Sequence, residues 1–199
     1  MENQVNPTDS VTLNQLFIAA RTANGFIERP VQTELLKQMY DIAKFGPTSM
    51  NTQPARYVFL TTAAAKERLR PALMEGNLDK TMLAPVVVII AKDTRFFEHM
   101  PTIWHGKGTK EMFENAPPMA AATATRGTTL SGAYFMIAAR ALGLDCGPMS
   151  GFDMGKVNAE FFPDGRFEVD FLCNLGYANH SLEFPRNPRL SFDQVATIL

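Results

Sequence analysis

Residues 46 to 54 read Gly-Pro-Thr-Ser-Met-Asn-Thr-Gln-Pro. Thr48, Ser49, Asn51, Thr52 and Gln53 all carry hydrogen-bonding side chains. Pro47 and Pro54 fix φ and remove N–H donors, so neither a regular helix nor a central strand runs through the segment. A stiff polar loop between two core elements can grip a small polar ligand. The same residue types also make an ordinary helix-to-strand connection, and the loop alone does not choose between the two.

Other polar groups stand at the edges of predicted elements. Arg21-Thr22-Ala23-Asn24 closes the first predicted helix, and Gly76-Asn77-Leu78-Asp79-Lys80 precedes an apolar strand. Gly147-Pro148-Met149-Ser150-Gly151 follows an alanine-rich helix, and Arg186 and Arg189 lie in the tail. Singly, each reads as a cap, a turn or a surface charge. Together they supply what a phosphorylated, flat, hydrogen-bonding cofactor needs. Arginines and hydroxyls hold phosphate through charge-assisted bonds. The amides of Asn51 and Asn77 can pair with a heteroaromatic edge, a lysine beside that edge steadies an anionic reduced ring, and glycine lets backbone approach it.

Other chemistries lack their signatures. There is no Walker A loop, GxSxG elbow, HExxH or EF-hand pattern, and proline and methionine break any GxGxxG reading of Gly143 to Gly151. His99, His105 and His180 are scattered. Cys146 and Cys173 have neither CxxC nor metal-type spacing and read as small core hydrophobes. Lys107, Lys110, Glu111 and Glu114 read as a solvated helix face.

The elements that must position these groups follow from periodicity. A helix is predicted from Val11 to about Gly25 on Leu13, Leu16, Phe17 and Ala20. A second runs from Gln32 to Phe45 on Leu35, Met39, Ile42 and Ala43. Strands are predicted at 56–61, at 85–92 with its β-branched run, and at 167–175; a strand covered on both faces suits the second. Residues 63–74 form a helix and 96–115 an irregular stretch with short helices. Two more helices are expected at 116–124 and 127–142, the latter on Leu130, Tyr134, Ile137 and Ala141 with Gly143 as its cap. Residues 145–151 read as a turn, 156–162 as a helix, 191–199 as a terminal helix and 1–10 as a mobile arm. The mixture is α+β.

Composition fits this. The chain has 199 residues, 46% hydrophobic and 20% charged, with net charge −1. That suits one globular domain over 1–199 and supplies no basic field for nucleic acid. No apolar run approaches the roughly 20 residues of a membrane span. The N-terminus lacks a secretion signal, and a cytoplasmic setting without membrane or nucleic-acid partners is expected.

Pro47 to Pro54 looks like the Pro-Ser-Ser-x-Asn-x-Gln-Pro signature of the nitroreductase-like FMN-dependent oxidoreductases, which the chain resembles over nearly its full length. Within that family it is most similar to the malonic semialdehyde reductase branch of pyrimidine degradation. The segments carrying this are 20–25, 45–49, 66–73, 76–81 and 141–153, in that order. The resemblance implies an α+β fold with a mostly antiparallel sheet flanked by helices, in an intertwined homodimer with FMN sites at its interface. It places Arg21, Thr22 and Asn24 in an N-terminal phosphate motif, where Ala20 and Asn24 stand at positions usually basic. Arg189 matches a C-terminal phosphate-binding arginine. Asn187 replaces a lysine there, and Arg186 is the nearby cation that offsets it. Pro47, Thr48, Ser49 and Asn51 would reach the partner's flavin. Asn77 and Lys80 match ring-edge contacts, Lys80 as the stabiliser of the flavin anion. Met149, Ser150 and Gly151 match the segment near the reactive N5.

The implied activity is ping-pong hydride transfer from NADH or NADPH to a small-molecule acceptor, with no dedicated catalytic side chain. Malonic semialdehyde is the expected acceptor; nitro compounds, quinones and enones, or flavin binding with little turnover, are the alternatives. Residues 96–115 are the candidate lid, and Arg56 or Arg126 the candidate holder of a substrate carboxylate.

Overall fold

The run Val86-Val87-Val88-Ile89-Ile90 forms the middle of strand β2, Val86–Asp93. Successive strand residues point to opposite faces. Val86, Val88 and Ile90 enter one core with Leu36, Met39, Phe135 and Ala138. Val87, Ile89 and Ala91 enter a second core with Leu69, Val157, Phe162 and Leu172. The computed structural model describes residues 12–199; the expected arm at 1–10 lies outside them. It is an α+β structure with helices on both faces of a four-stranded antiparallel sheet, ordered β1-β2-β4-β3. The other strands are β1 (Ala55–Leu60), β3 (Asp145–Met149) and β4 (Phe167–Gly176).

Helices α1 (Thr33–Ala43) and α6 (Pro117–Ala141) cover the first face. The second is covered by α2 (Ala63–Leu69) and α7 (Met154–Phe161). Helix α3 (Glu75–Leu83) holds Asn77 and Lys80, so the segment expected as a polar connection is helical. Residues 96–115 contain a 3₁₀ turn at Phe96–His99, α4 (Met100–Ile103) and α5 (Thr109–Glu114) around a small core of Phe96, Met100 and Phe113.

Several expectations need correction. The helix predicted from Val11 to Gly25 is only a π-helical turn at Asn14–Ile18. Leu13, Phe17 and Ile18 are 72%, 53% and 68% exposed, so most of the apolar stripe is left uncovered by the described residues; the turn is held to α6 by Gln15 and Leu16, which bond to Arg140. Helix α1 buries Leu36, Met39 and Ala43, while Ile42 faces outward. The two helices expected at 116–124 and 127–142 are one, because Gly127 faces Pro54 and the close contact outweighs its helix penalty. Its buried line is Ala120, Ala124, Thr128, Phe135, Ala138 and Ala139, and Leu130 is exposed. Residues 145–149 are a strand, not a turn: among the named strands β3 pairs with β4 alone, and an edge strand tolerates Pro148. The terminal helix shrinks to α8, Phe192–Val195, with a Ser191–Gln194 capping box.

Cys146 and Cys173 are buried in the α1–α6 core as free thiols. The neighbouring Cys146 thiol, and then burial, push the Cys173 thiol well above its ordinary range. Among the described residues no helix is long and apolar enough to cross a membrane.

On α6, a Cβ at Gly132 would lie 2.4 Å from the Phe171 ring. Gly132→Ala is expected to lower stability by about 1–3 kcal/mol, read from urea unfolding. A wild-type midpoint would show that Phe171 yields freely and that the helix does not depend on this approach.

Candidate functional site

The predicted residues form two groups. The first gathers around the end of β3. Thr22 bridges Cys146 in parallel, and the Ala23 N–H donates to the Cys146 carbonyl at 2.9 Å, so residues 22–23 line the outer edge of β3. Arg21 donates to the Phe184 carbonyl and lies 3.9 Å from the Glu183 carboxylate. Arg186 donates back to the carbonyls of Ile18 and Ala20, at 2.5 and 3.0 Å. The N-terminal segment and the tail are thereby stapled by two guanidinium groups. Arg189 is not brought to them by any bond; it donates to Asn187 and Pro188 in its own tail. The Asn24 amide donates to the Thr22 carbonyl at 3.3 Å.

Beyond Met149 the chain turns toward α3. The Asn77 amide donates to the Gly151 carbonyl at 2.9 Å, and the Met74 N–H donates to the same oxygen at 3.2 Å. The Thr81 hydroxyl donates to the Met149 sulfur at 3.4 Å. Asn77, Met149, Ser150 and Gly151 are thus gathered, with Lys80 one residue before Thr81. The Lys80 side chain is half-buried and its ammonium makes no ion pair among the described residues. Asn174, which the sequence reading misses, organises this group. It is fully buried on β4, and its amide donates to the Thr81 hydroxyl and the Lys80 carbonyl at 3.2 and 3.3 Å. Its side-chain oxygen has no partner among the described residues. The available signal is one amide inside the apolar run Phe171 to Leu175.

The second group is the loop before β1. Ser49–Asn51 form a 3₁₀ turn, and Met50, Asn51 and Gln53 take φ of 50, 54 and 41°. Such angles are uncommon outside glycine and persist where the surroundings impose them. The Thr48 hydroxyl accepts from the Gln53 N–H at 3.2 Å, and the Tyr134 hydroxyl donates to the Pro47 carbonyl at 3.0 Å. The Asn51 amide donates to the Ile103 carbonyl at 2.8 Å, so it ties the loop to α4. Thr52 is buried with its hydroxyl unpaired among the described residues. Pro47 and Ser49 stay exposed.

Where the loop enters β1, Arg56 donates to the Gln53 and Ala55 carbonyls, both at 2.9 Å, and to Asp93 at 2.7 Å. The Asp93 side chain is 1% exposed. It also meets Arg166 Nε at 2.7 Å and accepts from the Arg95 N–H at 2.9 Å, with His99 Nε2 at 3.8 Å. Arg166 extends to Glu98 at 2.6 Å, and its guanidinium holds the Glu98 carboxyl below the usual range. Arg56 is therefore a fixed part of an ion network centred on the buried Asp93, while Arg126 is exposed on α6. A cavity of about 370 Å³ lies between the loop, α1 and β1. Among the described residues no group of three or more His, Cys, Asp or Glu is placed to hold a metal ion.

The two groups do not meet within one chain. The strand order puts β1 and β3 at opposite edges of the sheet. Three strand spacings separate those edges by roughly 14 Å.

A profile of the Nitroreductase family matches residues 20–177. A Ralstonia nicotianae protein provisionally named an NADH dehydrogenase/NAD(P)H nitroreductase is 50% identical over 187 residues, covering 94% of this chain and 96% of its own. One from Stenotrophomonas maltophilia, with the same provisional name, is 50% identical over 190 residues, covering 96% and 97%. In fold, the chain is similar to a Bacillus subtilis protein provisionally described as a nitroreductase, with TM-score 0.83, 24% identity and coverage of 94% and 98%. It is also similar to one from Exiguobacterium sibiricum solved in complex with FMN, with TM-score 0.81, 18% identity and coverage of 96% and 98%.

Removing one partner from a buried ion pair leaves uncompensated charge. Asp93→Ala is expected to cost about 3–5 kcal/mol on that ground, measured by chemical denaturation. A loss near zero would mean that water, not Asp93, balances the two arginines.

Proposed function

This chain belongs to the Nitroreductase family, and on that premise we propose that it is an FMN-dependent NAD(P)H oxidoreductase, acting as a homodimer, with malonic semialdehyde as its acceptor. The observation that carries the reading is the separation of the two polar groups at opposite sheet edges. One chain does not close them around a ring; a second copy bringing its loop to the first copy's β3 edge does. The tail agrees with a partner, because Leu182, Phe184, Leu190, Phe192 and Val195 are all exposed on the single chain.

The donor set fits FMN. Arg21 and Arg186 lie where the tail meets the N-terminal segment, with Glu183 the carboxylate paired to Arg21. With Thr22 and Arg189 they would hold the phosphate, and Asn24 contributes an amide where a cation would bind more strongly. Asn77 and Lys80 would face the pyrimidine edge of the ring, and Met149, Ser150 and Gly151 would lie along its centre. Pro47, Thr48, Ser49 and Asn51 would come from the neighbouring copy. When bound, FMN supplies a two-electron carrier that NADH or NADPH charges and the acceptor discharges. The Lys80 ammonium, without an ion-pair partner among the described residues, offsets negative charge at the ring edge, and Asn174 fixes the helical turn that presents it. The strained loop, held by Thr48, Tyr134 and Ile103, is a rigid wall that limits water at the exposed face.

The malonic semialdehyde reading rests on the matched sequence segments. A second reading, broad reduction of nitro compounds, quinones or enones, is favoured by the nitroreductase names of the relatives at 50% identity.

The purified protein is expected to be yellow, to bleach with NADH or NADPH and to regain colour with malonic semialdehyde. Recolouring by a nitrofuran alone would select the second reading. A protein that gains no flavin absorbance when FMN is added would exclude both. Lys80→Ala is expected to slow bleaching by about tenfold or more while changing FMN retention less. An unchanged reductive half-reaction would remove Lys80 from the ring edge.

A further inference from the structure

The cavity beside the loop is lined by Lys44, Thr48, Gln53, Arg56, His99 and Ser131, together with apolar and aromatic residues. No carboxylate among the described residues lines it. The cations are paired with carboxylates outside the lining: Arg56 and His99 with Asp93, and Lys44 with Asp41. We propose that this cavity is a carboxylate-binding subsite in which Arg56 and His99 hold the acid end of a short-chain acceptor. The identity of the acceptor rests on the function proposed above; the existence of the subsite does not.

Arg56 is prepared for such a role. A guanidinium has five N–H donors. Three of them go to the Gln53 carbonyl, the Ala55 carbonyl and Asp93, which leaves two without a partner among the described residues. The group is held in place before any ligand arrives, so little side-chain entropy remains to be lost on binding. Its charge is not cancelled either. In the surrounding network Arg56, Arg95 and Arg166 pair with two carboxylates among the described residues, Asp93 and Glu98. An anion placed in the cavity completes that balance.

The other lining groups narrow the ligand class. The Thr48 and Ser131 hydroxyls and the Gln53 amide offer hydrogen bonds without charge. Burial pushes the Tyr57 phenol up, so it stays protonated as a neutral donor. About 370 Å³ is at the small end of ligand cavities. It suits an acid of a few carbons and is too small for a dinucleotide. Thr48 and Gln53 belong to the loop proposed to meet FMN, so an acid held here has its other end near that ring.

Malonate serves as an unreactive probe on the flavin-loaded protein. Saturable binding by calorimetry is expected, weakened about tenfold or more in Arg56→Lys and severalfold in His99→Gln. Arg56→Lys keeps a cation beside Asp93, and His99 is half-exposed, so both variants are expected to fold; thermal unfolding checks this. In turnover, kcat/KM for malonic semialdehyde should fall at least about tenfold more than kcat/KM for the uncharged quinone menadione. Absent malonate binding, or binding equal in wild type and both variants, overturns the subsite. Arg56-dependent malonate binding by a protein that holds no flavin supports the subsite and overturns the proposed function instead.

Discussion

The antiparallel pairing of β2 with β4 is the interaction on which everything else depends. Both strands lie inside the sheet, and the side chains of β2 alternate between two cores. Burial of that kind on both faces demands helices on both, which α1 and α6, and α2 and α7, provide. It also pushes the polar business of the molecule outward. Backbone groups at the sheet centre are already paired, so the free donors collect at the ends of the edge strands and on the segments that flank them. The loop precedes β1 at one edge; Thr22 and Ser150 flank β3 at the other.

How much of this could be read from sequence depended on whether the cause was local. The β-branched run at 86–90 announces a covered strand, and the prolines and amides of 46–54 announce a stiff polar loop. Gly143 caps α6 with φ of 78°, as its position suggests. Failures occur where a distant partner decides. Helical spacing at Leu13, Leu16 and Phe17 says nothing about whether a surface exists to receive it. Gly127 looks like a break until Pro54 is seen against it. Pro148 argues against a strand unless the strand is known to be an edge.

The candidate site divides in the same way. Loop residues and the polar groups at element ends were legible as chemistry, and family resemblance assigned Arg21 and Arg189 to phosphate; the contacts of Arg21 with Phe184 and Glu183 were not legible. The Asp93 network was not legible. Its members at 56, 93 and 166 are far apart in sequence and meet only because Arg56 is the second residue of β1, Asp93 ends β2 and Arg166 immediately precedes β4. Asn174 was visible as a polar residue in an apolar run. Its significance required the register that sets it against α3.

A single carboxylate shared by arginines beside two different strands also has a history-dependent consequence. A lineage drifting toward a new acceptor cannot simply discard Arg56, because Asp93 would remain buried with one counter-ion fewer. A position such as Ser131, which lines the same cavity but carries no part of that network or of the loop's own bonds, is free to vary first. Diversification of this pocket should therefore begin at its uncharged wall, and a change at Arg56 should arrive together with a change at Asp93.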